Sequence, residues 1–234
     1  MGNARRTAFI VGVLFILTFV TAIAGRLLYG PVLDDPNYIV GTGADTQIAL
    51  GALFELLLII ANVGTALWLF PILKRQHEAL SLGYVAARLA ENTFIAIGIV
   101  NILAILTLRQ AGGDAASLVP VGESLVAMNN WTFLLGPGFV VGIGNGLILG
   151  YLMFRSGLVP RGMAMLGLIG GPLATASGVA VLLGVIDQGS AAQGIMTIPE
   201  ILWEASLGIY LTFKGFKPSP ILSGDIGAAG VGTA

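Results

Sequence analysis

Six long apolar stretches constrain this chain more than any other feature of its sequence. They cover residues 8–28, 47–70, 80–108, 126–154, 163–185 and 195–213. Each stretch reaches or approaches the roughly 20 residues that a helix needs to cross the hydrocarbon core of a bilayer. The sequence therefore predicts an all-α fold: a polytopic membrane protein built as a six-transmembrane-helix bundle.

Composition leaves little of the chain for anything else. Of the 234 residues, 56% are hydrophobic and 10% are charged, whereas about a quarter of the residues of a soluble domain are charged. Residues 1–217 are assigned to the six-helix transmembrane domain, and the Gly/Ala-rich residues 218–234 are predicted to be a disordered cytoplasmic tail. The lipid bilayer is the expected surrounding of the chain, and no nucleic-acid partner is expected.

The distribution of charge predicts the orientation of the bundle. One side of a six-span arrangement holds these basic residues: Arg5, Arg6, Lys74, Arg75, Arg155, Arg161, Lys214 and Lys217. The other side holds these acidic residues, with Arg109 as the basic exception: Asp34, Asp35, Asp45, Asp114, Glu123 and Asp187. The positive-inside rule then places both termini of this multi-pass membrane protein in the cytoplasm.

The first apolar stretch also has the features of a signal peptide. Arg5 and Arg6 precede it, and Ala22-Ile23-Ala24 matches the small-residue pattern of a cleavage site. Cleavage would leave five spans and would break the alternation of charge between the two sides. We therefore expect the first helix to remain attached.

Charged and amide side chains interrupt the apolar stretches, and these are the candidate functional residues. At a rise of about 1.5 Å per residue, one group is predicted to lie near the bilayer midplane and to line a polar cavity: Asn62, Arg88, Glu91, Asn145 and Glu204. Two outer carboxyls, Glu55 and Glu200, are predicted to lie nearer the outer surface. An ionisable group at membrane depth costs about 2.5–3.5 kcal/mol, so each of these needs a partner or a function.

The spacing of these residues indicates how they interact. Arg88 and Glu91 are three residues apart and share a face of one helix. Arg88 is expected to stay charged and to need a carboxylate partner, either Glu91 or Glu204. Glu200 and Glu204 are four residues apart and would repel each other if both were ionised. We expect one member of that pair to carry a proton.

Two interpretations of this polar layer are open. An Arg–Glu pair could simply fasten the bundle, although polar contacts between membrane helices average only about 0.6 kcal/mol. Four buried glutamates against one buried arginine are more than fastening requires. The excess favours small-molecule, ion or proton-linked transport or binding through a midplane cavity, with an unknown small ligand.

Glycines support a different function. Gly138, Gly142, Gly146 and Gly150 recur every four residues along the fourth stretch. Small residues let helix backbones approach closely, so this face packs either against helices of the same chain or against a homo-oligomeric or other membrane partner. The second case gives the alternative function, a non-catalytic accessory or regulatory membrane protein that acts by helix–helix contact.

Signals for catalysis are missing from the sequence. The chain has no cysteine, one histidine (His77) and no H-E-x-x-H motif, which argues against a zinc site. Every aspartate lies outside the predicted spans. We therefore expect no enzyme, no catalytic residue, no metal site and no cofactor.

Three segments carry a resemblance to a known family. They read AARLAENT, FRSGLVPRGMAMLGLIGGPL and LWEASLGIYLTFKGFKPSP. Together they hold Arg88 and Glu91, the basic turn from Arg155 to Arg161, and Glu204 followed by Lys214-Gly215-Phe216. The chain resembles the bacterial family catalogued as domain of unknown function 4386, from about Arg5 to Lys217. Gly162 stands where family members more often have a bulky residue. The resemblance implies a six-helix bacterial membrane protein and implies no particular activity.

Overall fold

The computed structural model describes residues 2–41 and 43–223, and helices are the regular structure of this part of the chain. The all-α prediction is confirmed for these residues. In chain order they are α1 (Asn3–Leu28), α2 (Gly30–Asp34), a 3₁₀ turn (Tyr38–Val40), α3 (Asp45–Leu73), α4 (Glu78–Ala111), α5 (Ala115–Phe133), two π-helical runs (Leu134–Val140 and Gly142–Leu149), α6 (Gly150–Ser156), α7 (Arg161–Leu182), α8 (Ala191–Phe213) and α9 (Pro220–Ser223).

Six long helical elements form a closed ring. Helix α1 packs against α3, α3 against α4, and α4 against the two π-helical runs, which we call the π segment. The π segment packs against α7, α7 against α8, and α8 returns to α1. A short connection joins α3 to α4, as is usual for antiparallel helix pairs. This arrangement leaves an interior that side chains from all six elements can reach.

Among the described residues, five helices are long and apolar enough to cross a membrane, as expected of a membrane-embedded protein. They are Asn3–Leu28, Asp45–Leu73, Glu78–Ala111, the continuous run Ala115–Ser156, and Arg161–Leu182. The sixth predicted stretch coincides with α8, which does not reach the same apolar character. Glu200 and Glu204 explain this difference, because two carboxyls lower the mean hydropathy of a helix of only 23 residues.

The fourth helical run differs from a regular α-helix. It begins at Ala115, well before the predicted start of the stretch at residue 126, so most of the expected outer loop is helical. From Leu134 to Leu149 the run is π-helical apart from Val141. Proline at position 137 lacks a backbone donor, and π-helical turns frequently occur at functional sites.

At one end of the ring, buried apolar side chains close the interior. Phe15, Leu69, Leu152 and Leu207 belong to this cluster, which lies at the end that holds the start of α1 and the end of α8. Arg5 donates hydrogen bonds to the last carbonyls of α8 at 3.0 Å. These bonds satisfy backbone acceptors that have no partner inside the helix.

Part of the predicted tail also lies at this closed end. Residues 218–223 are described, and Pro220–Ser223 form the single turn of α9. Arg75 donates a hydrogen bond to the Ile221 carbonyl at 3.1 Å. The remainder of the predicted tail, residues 224–234, lies outside the described residues.

At the opposite end of the ring, an ion pair explains why Arg109 lies on the predominantly acidic side. Arg109 contacts Asp45 at 3.0 Å and lies 5.4 Å from the centre of the Tyr38 ring. Burial and the neighbouring Asp45 carboxylate raise the pKa of Tyr38 above its usual value. Arg26 is a second basic residue at this end, in the last turn of α1. Arg109 is therefore not the single basic exception on this side.

Candidate functional site

A polar cavity of about 580 Å³ occupies the interior of the ring. It lies on the open side, where Gln188, Gly189 and Gln193 line it. The cavity brings together six of the seven polar residues that the sequence singles out: Glu55, Asn62, Arg88, Glu91, Glu200 and Glu204. Asn145 is the seventh, and it contacts Glu204 through its side chain.

Arg88 and Glu91 form the ion pair at the bottom of the cavity. The Nη1 atom of Arg88 lies 2.7 Å from Oε2 of Glu91, and the two residues are 2% and 5% exposed. Asn62 on α3 donates hydrogen bonds to Glu91 at 3.0 Å and to Asn92 at 3.1 Å. Arg88 therefore pairs with Glu91, on its own helix, and not with Glu204 on α8.

The rest of the Arg88 guanidinium faces aromatic groups. Its Nε donates to the Tyr84 hydroxyl at 3.4 Å, and its carbon lies 5.6 Å from the centre of the Phe15 ring. The Tyr84 hydroxyl also shares a hydrogen bond with Thr65 at 3.2 Å. The Nη2 group of Arg88 has no hydrogen-bond partner among the described residues. Arg88 is therefore held firmly, but the N–H donors of Nη2 have no partner among the described residues.

Asn145 connects the π segment to α8 through two bonds. Its side-chain amide nitrogen donates a hydrogen bond to a Glu204 oxygen. Its backbone carbonyl accepts a hydrogen bond from Nε1 of Trp203 at 2.9 Å. Trp203 and Glu204 are neighbours on α8, so the two bonds fix that part of α8 against one residue of the π segment.

Glu200 is the least satisfied group in the cavity. It is 4% exposed, and neither carboxyl oxygen has a hydrogen-bond partner in the part of the chain that the structure describes. Its carboxyl lies beside Gly146, and its backbone lies beside Gly170. Glu204, Arg88 and Glu91 are within electrostatic range of it. A buried carboxyl without a partner carries a large desolvation penalty when it is ionised.

Glu55 has different surroundings from Glu200, the other predicted outer carboxyl. Arg26 and Tyr29 are its electrostatic neighbours. Burial, followed by the Glu55 charge, raises the pKa of Tyr29. Arg26 also lies 5.3 Å from the centre of the Phe133 ring, across the open side of the cavity. Glu55 thus belongs to the cavity entrance, whereas Glu200 belongs with Glu204 and Arg88.

Three residues that shape the site are not among those predicted from the sequence: Arg26, Tyr84 and Trp203. Tyr84 lies four residues before Arg88 on the same helical face, which is a signal that spacing could have supplied. Arg26 could have been found as a basic residue at the end of the first stretch. Nothing in the sequence indicates that Trp203 would bond to a backbone carbonyl of another helix, because that contact depends on how the helices are rotated.

The predicted packing glycines contact helix α7 of the same chain. A Cβ atom added to Gly142 would lie 2.6 Å from the Gly171 carbonyl, and one added to Gly150 would lie 3.2 Å from the Leu168 nitrogen. Gly146 likewise faces the backbone of Gly171. Gly138 differs from the other three, because it lines the cavity. Most of the glycine face is therefore covered within the chain.

Comparison with known families gives one match. The family described as Domain of unknown function (DUF4386) matches residues 10–215. The chain belongs to this family. The matched region contains the whole helix ring except the first turns of α1, and every polar residue of the cavity. No significant match was found among curated proteins or among solved structures.

The chemistry available in this family member is that of carboxylates, amides and guanidinium groups. Four glutamates and two arginines line the cavity: Glu55, Glu91, Glu200, Glu204, Arg26 and Arg88. Within residues 2–41 and 43–223, no group of three or more His, Cys, Asp and Glu side chains is arranged to hold a metal ion. The arrangement is suited to bind a small polar or charged solute and to hold or release protons.

Proposed function

We propose that this chain is a six-span protein of the bacterial cytoplasmic membrane and that its cavity binds or passes a small molecule or ion, coupled to protons. Both termini would lie in the cytoplasm, and the cavity would open to the outside. Glu200 carries this proposal, because a carboxyl with no partner lines the cavity although it is almost completely buried. A purely structural polar layer would be expected to pair its charges.

The position of α8 in the ring supports a sixth span. It packs between α7 and α1, and both of these are long and apolar enough to cross a membrane. Its outward side chains are apolar and exposed, including Ile195, Ile198, Leu202 and Ile209. Its two carboxyls face the cavity instead. The mean hydropathy of the whole helix does not show this division between an apolar outer face and a polar inner face.

Binding and transport fit the site better than catalysis or contact with a partner. The charged groups are distributed around a space large enough for a small solute, within the range of about 300–1,000 Å³ that is usual for ligand pockets. The glycine face that would serve a membrane partner is largely covered by α7. We therefore assign no catalytic residue and do not place a partner on that face.

Cysteine accessibility tests the proposal directly, because the chain contains no cysteine of its own. Thr197→Cys places a thiol near the cavity mouth, and Leu58→Cys places one deeper, between Glu55 and Asn62. Leu202→Cys, on the outward face of α8, and Leu207→Cys, in the closed core, are the matched controls. Vesicles of defined orientation would be treated with a charged, membrane-impermeant thiol reagent.

We expect Thr197→Cys and Leu58→Cys to react when the reagent is outside, with the deeper thiol reacting more slowly. The two control thiols should stay unmodified. Reaction of the cavity thiols only from the cytoplasmic side would reverse the proposed orientation. A cavity thiol that is as inert as Leu207→Cys would show that water does not reach the cavity, and the proposed function would be wrong.

A further inference from the structure

Two carboxyls of α8 converge on two successive residues of the π segment. Glu204 accepts a hydrogen bond from the side-chain nitrogen of Asn145. The Oε2 atom of Glu200 lies against Gly146, since a Cβ atom added there would be 2.5 Å from that oxygen. The absence of a side chain at Gly146 therefore creates the space for the Glu200 carboxyl. The two acidic groups share one small region of the cavity wall.

Several oxygen atoms in this region have no hydrogen-bond donor among the described residues. Both oxygens of Glu200 are in this state, and so is the side-chain oxygen of Asn145, a residue that is 1% exposed. That oxygen belongs to the same amide group that binds Glu204, so it lies close to the acidic pair. Buried polar atoms are nearly always satisfied in native proteins. Unpartnered oxygens on neighbouring residues leave a place for a ligand that accepts electron pairs.

The local charge also requires protons, a positive partner, or both. Arg88 and Glu91 are both within electrostatic range of the pair, and they are bound to each other at 2.7 Å. One guanidinium and three carboxylates leave a net charge of −2 when all are ionised. A buried charge without compensation is strongly unfavourable. Arg88 cannot neutralise the whole group, because its closest carboxylate is Glu91.

We propose that Glu200, Glu204 and the side-chain oxygen of Asn145 bind an alkali cation of the sodium type. The inference rests on the proposed function, because the ion reaches this pair through the cavity. Oxygen atoms are the ligands of hard cations. Ca²⁺ takes 6–8 oxygen ligands, more than these three side chains supply. When one carboxyl of the pair carries a proton, the remaining net charge is −1, which a single monovalent cation neutralises. A monovalent ion completes its shell with water from the cavity.

Ion-dependent unfolding of the purified protein in detergent would test this site. Ionic strength would be held constant while NaCl is replaced by N-methyl-D-glucamine chloride, and the unfolding temperature would be recorded at several pH values. A cation that binds only the folded protein must raise its stability as its concentration increases. Binding of radioactive sodium to the wild-type protein would give the stoichiometry without relying on any variant.

We expect a saturable rise in the unfolding temperature with Na⁺ and about one sodium ion bound per chain. Glu200→Gln should lose the rise, whereas Glu78→Gln, which removes an exposed carboxyl outside the cavity, should keep it. Equal stability in Na⁺, K⁺ and N-methyl-D-glucamine, or a dependence on pH alone, would overturn the cation site. Loss of the effect in both variants would also overturn it.

The two proposals fail separately in these experiments. If the cavity thiols react from outside but no alkali cation binds, the cation site is wrong and the accessible cavity remains. If the cavity thiols are inert, the cavity is closed to water. In that case sodium has no route to the pair, and both proposals fail.

Discussion

The indole nitrogen of Trp203 donates a hydrogen bond to the backbone carbonyl of Asn145 at a distance of 2.9 Å. Trp203 is fully buried, so this bond lies in the closed core beneath the cavity. It fixes the rotation of α8 relative to the π segment. The same rotation brings Glu204 to the Asn145 side chain and Glu200 to Gly146. This bond thus contributes to the helix rotation that places the Glu200 and Glu204 carboxyls.

Trp203→Phe removes this donor while keeping an aromatic side chain in the core. The Asn145 carbonyl is then left unsatisfied in a buried position, which typically costs about 1–3 kcal/mol. We expect thermal or denaturant unfolding in detergent to show a loss of that size. The control is Trp68→Phe, because Trp68 is 42% exposed on the outer surface of α3. Equal losses in the two variants would show that the Trp203 bond has no special importance.

Arg88 can be tested for its dependence on Glu91. In Arg88→Gln, Glu91 becomes a buried carboxylate without its charged partner, and breaking a buried ion pair in this way costs about 3–5 kcal/mol. The double variant Arg88→Gln/Glu91→Gln removes both charges. We therefore expect it to unfold at a higher temperature than Arg88→Gln alone.

A second ion pair provides the control for this prediction. Arg109 and Asp45 form a more exposed pair at the open end of the ring. Pairs of that kind contribute about 0–1 kcal/mol, so Arg109→Gln should change stability little. If the double variant at positions 88 and 91 were less stable than Arg88→Gln, the two side chains would have independent roles.

Counting residues along each helix groups the polar residues but does not give their partners. Counting along each helix places Asn62, Arg88, Glu91 and Glu204 near one level, and all four line one cavity. Depth alone cannot say which way a helix is rotated, so the pairing of Arg88 with Glu91 rather than with Glu204 could not be decided. Regular α-helical spacing also fails in the π segment, which carries Asn145.

The outer carboxyls, Glu55 and Glu200, also show that position along the helix axis does not predict a residue's neighbours. Axial counting assigns Glu55 and Glu200 to a common level, but Glu55 lies beside Arg26 and Glu200 lies beside Glu204 and Arg88. Residues four apart on one helix are close neighbours whatever level each is assigned. The four-residue spacing between Glu200 and Glu204 therefore predicts the surroundings of Glu200 better than its depth does.

Asn62 should contribute measurably to the stability of the cavity wall. Asn62→Ala removes the donor that bonds Glu91 and Asn92. Both acceptors then lose a partner in a buried place, and we expect a loss of about 1–3 kcal/mol in unfolding experiments. Asn101→Ala is the matched control, since Asn101 is also buried on a ring helix but its amide nitrogen has no partner among the described residues. A larger effect at Asn101 would contradict the importance of the Asn62 bonds.

Gly146 should tolerate no side chain, because it faces both α7 and Glu200. A Cβ atom added there would clash with the backbone of Gly171, which cannot move as a flexible side chain can. We expect Gly146→Ala to lower the unfolding temperature clearly and to remove any sodium-dependent rise. Gly162→Ala is the control, because a Cβ atom added there meets nothing within 4 Å. Alanine also favours a helix over glycine by about 1 kcal/mol, so Gly162→Ala should be neutral or stabilising.

The oligomeric state of the same variants distinguishes contact within the chain from contact between chains. Because α7 already covers Gly142, Gly146 and Gly150, the loss of stability in Gly146→Ala should occur without dissociation of an assembly. Light scattering in detergent would measure this. If Gly146→Ala instead dissociated an oligomer while its unfolding temperature stayed that of the wild type, the glycine face would serve a partner. The function by helix–helix contact would then be favoured over the cavity.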